Sequence, residues 1–497
     1  MDLMYQSTRN ADNKVTASQA ILRGLSEDGG LFVPESIPKL DVGVEQLKNM
    51  NYQETAYTVM KQFLTDFSEA ELKDCIAKAY DAKFDNSHIA PLVKAGDAYY
   101  LELFHGATIA FKDMALSILP HLMTTSARKN GVENEIVILT ATSGDTGKAA
   151  MAGFADVEGT RIIVFYPKDG VSQVQELQMI TQKGSNTDVI AIHGNFDDAQ
   201  SGVKAMFENR ELEQQLKAAG YQFSSANSIN IGRLVPQIVY YVYAYSNLLN
   251  SQEIVLGESI NVVVPTGNFG NILAAYYAKL MGIPIAKLIC ASNENKVLFD
   301  FFETGVYNRN RDFVLTQSPS MDILISSNLE RLIYRIADGN SGETENLMKA
   351  LKNQGAYEIT EAMRKKLHSF RAGYATEAEM ASTIAELYRG TGYIIDTHTA
   401  VAATVYQDFV KRTHDQTKTI IASTASPYKF VKSVMCALDS KYADWRELDL
   451  LEEFHKVSGV KIPAAIRDIL DAEVLHKKQC EVKQMEAVVK EILAIEK

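Results

Sequence analysis

The stretch Ile136–Gly147 reads Ile-Val-Ile-Leu-Thr-Ala-Thr-Ser-Gly-Asp-Thr-Gly. An unbroken run of branched aliphatic side chains, Ile136–Thr140, has the texture of a strand buried on both faces. A glycine-punctuated loop, Thr142–Gly147, follows at once, and Thr146 to Val157 has the spacing of a helix. Similar short runs lie at Ile162–Tyr166, Val189–His193, Asn261–Pro265, Lys287–Ser292 and Thr419–Ser423, with amphipathic stretches such as Ala199–Leu216, Leu234–Leu249 and Gly270–Met281 between them. Strands alternating with helices predict parallel βαβ units and an open α/β fold rather than an all-β or all-α one.

Around this core the texture changes. The first hundred residues read as a helical leader: apolar positions in Tyr52–Phe67 recur at helical spacing, and the turn Asp28-Gly29-Gly30 precedes the apolar Leu31-Phe32-Val33 and Pro34. The segment Arg309–Gly392 breaks the strand–helix rhythm, is highly charged and reads as a mostly helical insertion. The tail after Ala443 is again helical and charged, and Trp445 is the only tryptophan.

The chain has 497 residues, a hydrophobic fraction of 46%, a charged fraction of 23% and a net charge of −12. This is the balance of a folded protein of several domains. An acidic surface argues against a general nucleic-acid binder, though one local site can still hold an anionic small molecule. No apolar run reaches the ~18–20 residues of a membrane helix, and Met1–Lys14 lacks the apolar core of a signal peptide. Cys75, Cys290, Cys436 and Cys480 form no C-x-x-C pair. Reduced thiols and a cytoplasmic location are expected.

In open α/β sheets, ligands bind where strands turn into helices. Three loops qualify: Thr142–Gly147, Thr266–Asn271 and Ser423–Pro427. In Gly267-Asn268-Phe269-Gly270-Asn271, two glycines and an immediate helix start bring backbone N–H groups together, a setting for phosphate; an ordinary Gly-bent turn reads the same way locally. The loop lacks the G-x-G-x-x-G dinucleotide spacing. Thr142–Ala149 is no nucleotide P-loop either, since Thr142 stands in place of the first Gly and Ala149 in place of Ser or Thr. Thr142, Ser143, Asp145 and Thr146 can receive a carboxylate or simply cap the following helix.

Lys112 sits among Ile109, Ala110, Phe111, Met114, Ala115 and Leu116. Desolvation there would lower its pKa and expose a free amine fit for imine formation, whereas a snorkelling surface lysine is the plainer alternative. Pro120 predicts a break in the apolar pattern that follows. Asn227, Ser228, Asn230 and Arg233 open a helix as a set of anion donors or as a capped start with a surface Arg. Asp396-Thr397-His398 reads as an acid–base or metal element, or more simply as the polar start of the helix Thr399–Lys411. With no H-E-x-x-H, no Cys/His cluster and no G-x-S-x-G, zinc and serine-hydrolase chemistry are disfavoured.

Taken together, these motifs resemble the threonine synthase family, pyridoxal-phosphate enzymes of fold type II. The resemblance runs to about residue 435 through Tyr5–Arg9, Gly24–Pro34 (GLSEDGGLFVP), His105–Asp113, Thr142–Gly147, Gly267–Asn271, Ser318–Ser327 (SPSMDILISS), Asp396–Val401 and Thr424–Phe430. The leader DGGLFVP separates this family from most others of the fold. The resemblance implies two open parallel-sheet domains flanked by helices: an N-terminal helical domain at 1–95, a large cofactor domain at 96–135 and 255–435 carrying the helical insertion 309–392, a small α/β domain at 136–254 and a helical tail at 436–497.

It further implies that Lys112 forms the Schiff base with pyridoxal 5′-phosphate and shuttles protons, and that Gly267, Asn268, Phe269, Gly270 and Asn271 hold the cofactor phosphate. By the same resemblance Thr424 partners the pyridine nitrogen, and Asp145 lies near the cofactor hydroxyl. Thr142, Ser143 and Thr146, with Asp145, receive the substrate carboxylate, while Asn227, Ser228, Asn230 and Arg233 hold the substrate phosphate. The implied reaction is O-phospho-L-homoserine plus water to L-threonine and phosphate, with no metal, nucleic acid or membrane partner, in a monomer or homodimer. Two positions depart from the pattern: Ser426 stands where many relatives have His, and Ala107 where many have Pro. The alternatives are a threonine dehydratase or cysteine synthase on the same fold, a silent binding relative, and a nucleotide-binding kinase.

Overall fold

A computed structural model describes residues 2–142 and 144–495. The run that opens the reading forms the strand Glu135–Ala141 inside a five-stranded, all-parallel sheet. Its order is Lys478–Glu481, Thr187–His193, Thr160–Pro167, Glu135–Ala141 and Tyr221–Ser224. A second sheet of six strands has the order Phe370–Tyr374, Ile285–Ser292, Ile260–Pro265, Thr419–Ser423, Ala98–Glu102 and Leu92–Ala95. Only the last pair is antiparallel. Its central strand, Ile260–Pro265, is buried along its whole length, as expected of a parallel strand covered on both faces.

Strand periodicity distributes the core. Ile136 and Ile138 of the small sheet, and Val262 and Val264 of the large one, point into one cluster shared by both sheets and the leader helices. Their neighbours Val137 and Leu139 face a separate cluster under the helices Phe196–Glu208 and Met485–Ile492. Val263 packs instead against the helix Thr397–Thr413 and the C-terminal helices. The two sheets are thus joined through their inner faces, and the carboxyl ends of their strands open onto a common cleft.

Three segments depart from the expected helical character. The leader carries helices at Ala17–Arg23, Tyr52–Met60 and Glu69–Ala79, but Tyr5–Ser7 pairs antiparallel with Phe32–Pro34, and Leu92–Ala95 is a strand of the large sheet. The segment 309–392 is mostly helical yet supplies the edge strand Phe370–Tyr374, registered Cys290 to Ala372. In the tail, Lys478–Glu481 pairs in parallel with Thr187–His193. All are short strands whose pairing partner lies far away in sequence, so no local periodicity announces them. Pro120 breaks the helix as expected: Asp113–Leu116 stops, and Leu119–Lys129 restarts with Pro120 in its first turn.

Candidate active site

The cleft contains a cavity bounded by the loops after Glu135–Ala141, Ile260–Pro265 and Thr419–Ser423. The loop Thr266–Asn271 is shaped by two constraints. A Cβ on Gly267 would stand 2.5 Å from the Ser320 carbonyl, so only glycine fits. Phe269 has φ of 64°, a left-handed conformation costly for an aromatic residue. It is held there by ring contacts to Phe302 and Phe370 at 6.0 and 6.2 Å. The helix begins at Gly270, so its first-turn N–H groups face the cavity without carbonyl partners inside the helix.

Lys112 stands at the start of the short helix Asp113–Leu116, on a loop stitched to the strand end opposite. Phe111 N–H donates to the Thr424 carbonyl at 2.8 Å and Ser426 N–H to that of Ile109 at 3.0 Å. The Asp113 carboxylate accepts from Thr108 N–H at 2.8 Å and Thr108 Oγ1 at 2.6 Å. Lys112 Nζ donates to Asp145 Oδ2 and to Ser320 Oγ, both at 3.1 Å. Burial drives the Lys112 amine below the ordinary lysine range and Lys429 adds to this, against the opposing pull of Asp145. For Asp145, burial alone would raise the carboxyl, but Lys112, Lys429, the Ser320 hydroxyl and His398 hold it well below the usual carboxylate range.

Ser320 and His398 extend this network. Ser320 Oγ donates to Asp145 Oδ2 at 2.7 Å, and its backbone N–H donates to His398 Nε2 at 3.1 Å. His398 Nδ1 lies 2.9 Å from Asp396 Oδ2, so the imidazole donates from Nδ1 and accepts at Nε2. Asp396 also caps the helix Thr397–Thr413 through the N–H groups of His398 and Thr399. Capping and site-building are therefore the same residue's two jobs. Thr424, bonded through its carbonyl to Phe111 N–H, lines the cavity as well.

Asn227, Ser228 and Arg233, which also line the cavity, come from the start of the helix Ile231–Asn250 and the turn before it. Arg233 is buried, donates from Nη1 to the Ala226 carbonyl at 2.7 Å, and has burial pushing its pKa down to about 10. Its Nε and Ser228 Oγ, and on the glycine loop Asn271 Nδ2, are buried atoms without a hydrogen-bond partner among the described residues. Tyr241 O–H donates to Asn271 Oδ1, which fixes the amide so that Nδ2 is the free end. Orphaned buried donors, one of them a guanidinium, define a site waiting for an anion.

Of the residues read from sequence, Lys112, Asp145, Thr146, Asn227, Ser228, Arg233, Gly267, Asn268, Phe269, Gly270, Asn271 and Thr424 line this one cavity. Thr142 and Asn230 are not among the residues that line it. Thr142 turns its Oγ1 to accept the N–H groups of Gly144 and Gly147, both at 3.0 Å, which braces the turn ahead of the helix Asp145–Phe154. Asn230 caps through Gly232 N–H at 2.9 Å and donates to the Ile21 carbonyl at 2.9 Å, tying the leader down. Ser143 lies outside the described residues.

Several contributors lacked any role in the sequence reading. Ser320 sits in SPSMDILISS, whose presence is a signal though its function is not. Lys429 likewise lies within the quoted stretch Thr424–Phe430, whereas Asn328, Arg331 and Gln175, whose Nε2 donates to Asp145 Oδ1 at 3.1 Å, carry none. Asn328 Nδ2 donates to the carbonyls of Ser228 and Asn268 at 3.2 and 2.9 Å. Its Oδ1 accepts from Arg331, which also donates to the Phe32 carbonyl at 3.0 Å and the Ile229 carbonyl at 2.5 Å. This pair locks the DGGLFVP leader, the Ser228 segment and the glycine loop into one frame. Among the described residues there is no cluster suited to a metal ion, and no helix is long and apolar enough to cross a membrane.

Comparison with known proteins agrees with this geometry. Family models described as threonine synthase N terminus, pyridoxal-phosphate dependent enzyme, and threonine synthase C-terminal match residues 4–80, 91–424 and 399–492. The human protein threonine synthase-like 1 is 40% identical over 449 residues, covering 87% of this chain; the chain spans only 60% of that protein's length. Threonine synthase of Saccharomyces cerevisiae is 34% identical, with 95% of this chain and 96% of the yeast protein covered. The crystal structure of PLP-bound threonine synthase from Brucella melitensis superposes with a TM-score of 0.87 at 33% identity, covering 99% of both chains.

Proposed function

The chain belongs to the threonine synthase family of pyridoxal-phosphate-dependent enzymes, and we propose that it converts O-phospho-L-homoserine and water to L-threonine and phosphate. The observation that carries this reading is the pair of anion-binding regions in one cavity. One is the glycine loop with its helix start; the other is the orphaned donor set of Ser228 and Arg233. An enzyme of this fold needs one such region for the cofactor phosphate. A second, cationic and desolvated, matches a substrate with its own phosphate. The near-complete mutual coverage with the yeast threonine synthase supports the same reading.

The residues fit the cofactor. Only a Cβ-less residue at position 267 leaves the cradle open, Asn271 Nδ2 is an unused donor beside it, and Lys112 offers an amine whose charge is disfavoured by burial. In the proposed arrangement, Lys112 holds the cofactor covalently, residues 267–271 hold its phosphate, and Thr424 meets the pyridine nitrogen with a neutral hydroxyl. When bound, the cofactor supplies a conjugated system that spreads the negative charge developing at the substrate α-carbon. Lys112 Nζ, as a free amine, takes the proton from Cα and then from Cβ. Arg233 and Ser228 hold the γ-phosphate and stabilise charge on its bridging oxygen as the C–O bond breaks. Asp145 and Ser320 keep Nζ aimed, and Thr146, at a helix start, is a proposed donor to the substrate carboxylate together with Ser143 and Thr142 of the same loop.

The deciding experiment supplies the cofactor-loaded protein with O-phospho-L-homoserine and measures phosphate and threonine together. Equal amounts of the two are expected. Cofactor bound at Lys112 with no phosphate release, or phosphate release without threonine, would overturn the proposal.

A further inference from the structure

Asp145 is a single buried carboxylate shared by two lysines. Lys112 Nζ lies 3.1 Å from Oδ2, and Lys429 Nζ lies 3.1 Å from Oδ1. Among the described residues no other carboxylate pairs with either amine. One negative charge balances one ammonium, and a second ammonium in the same desolvated space is strongly disfavoured. The two lysines differ in the way that matters. The Lys429 side chain is wholly enclosed, is tied additionally to the Thr108 carbonyl at 3.0 Å and does not line the cavity. Lys112 lines the cavity, and its amine meets Asp145 and Ser320, which line it too.

We propose that Lys429 is a positioning residue: its ammonium neutralises and orients Asp145, which leaves Lys112 free to stand in the cavity as an uncharged amine. The proposal rests on the reading of Lys112 as the cofactor-binding lysine.

The remaining charged groups facing this cluster do not replace either partner. Asp113 is the other carboxylate facing Lys429, but both its oxygens accept from Thr108, and burial raises its carboxyl above the usual range. Lys148, on the helix Asp145–Phe154, also faces Lys429, and its Nζ donates away from it, to Gln182. His398 is engaged by Asp396 and Ser320. Arg233 faces Lys112 as a further cation and so favours the neutral amine. Lys429 comes from the turn Pro427–Phe430 and Asp145 from the far sheet, so this ion pair also fixes the two sheets' loops against each other.

The chemical consequence is specific. Lys112 must give its proton to solvent before its nitrogen can attack. The neutral amine then forms a C=N bond with the cofactor's aldehyde carbon, and the aldehyde oxygen leaves as water with the two amine hydrogens. With Lys429 removed, Lys112 is the one ammonium left beside Asp145 among the described residues, since the other partners of Asp145, Ser320 Oγ at 2.7 Å and Gln175 Nε2 at 3.1 Å, are neutral, and Asp145 holds Lys112 charged.

The test uses the full-length chain freed of cofactor, mixed with pyridoxal phosphate at pH 6–10. The readouts are the absorbance of the adduct and, after borohydride reduction, the mass of the Lys112 peptide. Lys429→Met is expected to slow capture at neutral pH at least tenfold and to raise the pH midpoint of capture by about one unit or more. Lys429→Arg should keep the wild-type midpoint, and the double variant Asp145→Asn/Lys429→Met, which removes both charges, should restore it. A folded Lys429→Met with an unmoved midpoint overturns the proposal. If that variant does not fold, the double variant decides: capture near the wild-type midpoint sustains the charge balance, and a raised midpoint or failure to fold overturns it. Absence of an adduct at Lys112 in the wild type is a different result, which refutes the reading of Lys112 itself.

Discussion

Arg233 is a buried guanidinium whose Nε has no partner among the described residues and which pairs with no carboxylate there. Such a group lowers stability while it waits for an anion, because desolvation is not offset. Arg233→Met is therefore expected to raise the melting temperature of the unliganded protein by a few degrees while lowering kcat/KM for phosphohomoserine about 10- to 100-fold. Cofactor capture at Lys112 should persist, shifted slightly to higher pH because a cation facing that amine is lost. Calorimetry and steady-state kinetics read the two effects, and wild-type kinetics in the variant would remove Arg233 from the proposed clamp. His105 makes the opposite case. Burial alone would lower its pKa, but Asp85 at 2.6 Å and Glu102 at 2.9 Å push it up to about 9. A histidine whose folded pKa exceeds its unfolded one contributes stability that is complete below about pH 6.5 and lost as pH rises through about 9. The melting-temperature gap between wild type and His105→Gln should then be widest near pH 6 and shrink steadily toward pH 10; a gap constant with pH would contradict the ion-pair assignment.

At the level of elements, the glycine loop shows how a strand-to-helix turn becomes a site. Gly267 and Gly270 look alike in the sequence, but a Cβ at 267 meets a backbone carbonyl at 2.5 Å, whereas one at 270 meets only side-chain atoms at 3.5 Å. Gly267→Ala is expected to push the Ser318–Met321 turn outward, weakening cofactor retention at least tenfold in dialysis and displacing Ser320 from Asp145. Gly270→Ala should retain the cofactor nearly as wild type. Equal retention in both variants would mean that the close approach to Ser320 is not what shapes the cradle. The leader plays another part: no residue of DGGLFVP is among those lining the cavity, and the Phe32 carbonyl, which accepts from Arg331, makes it a brace rather than a wall.

Across the whole molecule, the small sheet takes its edge strand from a segment far along the chain. Lys478–Glu481 pairs with Thr187–His193, and Met485, Val489 and Leu493 bury themselves against that sheet's outer cluster. Three such side chains contribute on the order of 5 kcal/mol, a large share of a domain's stability. Deleting residues 477–497 is expected to expose the edge at Ile190 and Ile192, lower the melting temperature by several degrees and promote aggregation. Light scattering during thermal unfolding reads this, and an unchanged melting curve would show the tail to be dispensable.

How much of this was legible before folding depends on how local the determinant is. Buried parallel strands announce themselves by unbroken branched runs, and the loops at their carboxyl ends carry the chemistry, so the α/β architecture and most of the cavity wall follow from Ile136–Gly147 and its echoes. Thr142 and Asn230 show the limit: their residue types suit both a ligand and a helix start, and only the three-dimensional arrangement shows Thr142 Oγ1 and Asn230 Oδ1 accepting backbone N–H groups of their own loops. Ser320, His398 and Lys429 lie 208, 286 and 317 positions from Lys112 along the chain, beyond any periodicity, and meet it through Asp145 because two sheets share one core. Amino-acid order thus determined the elements and the reactive loops, since backbone preference and hydrophobic period act over a few residues. Which amine stands neutral, which donors stay unpaired and which carboxylate is shared were decided by packing, because burial and charge balance are properties of neighbours in space.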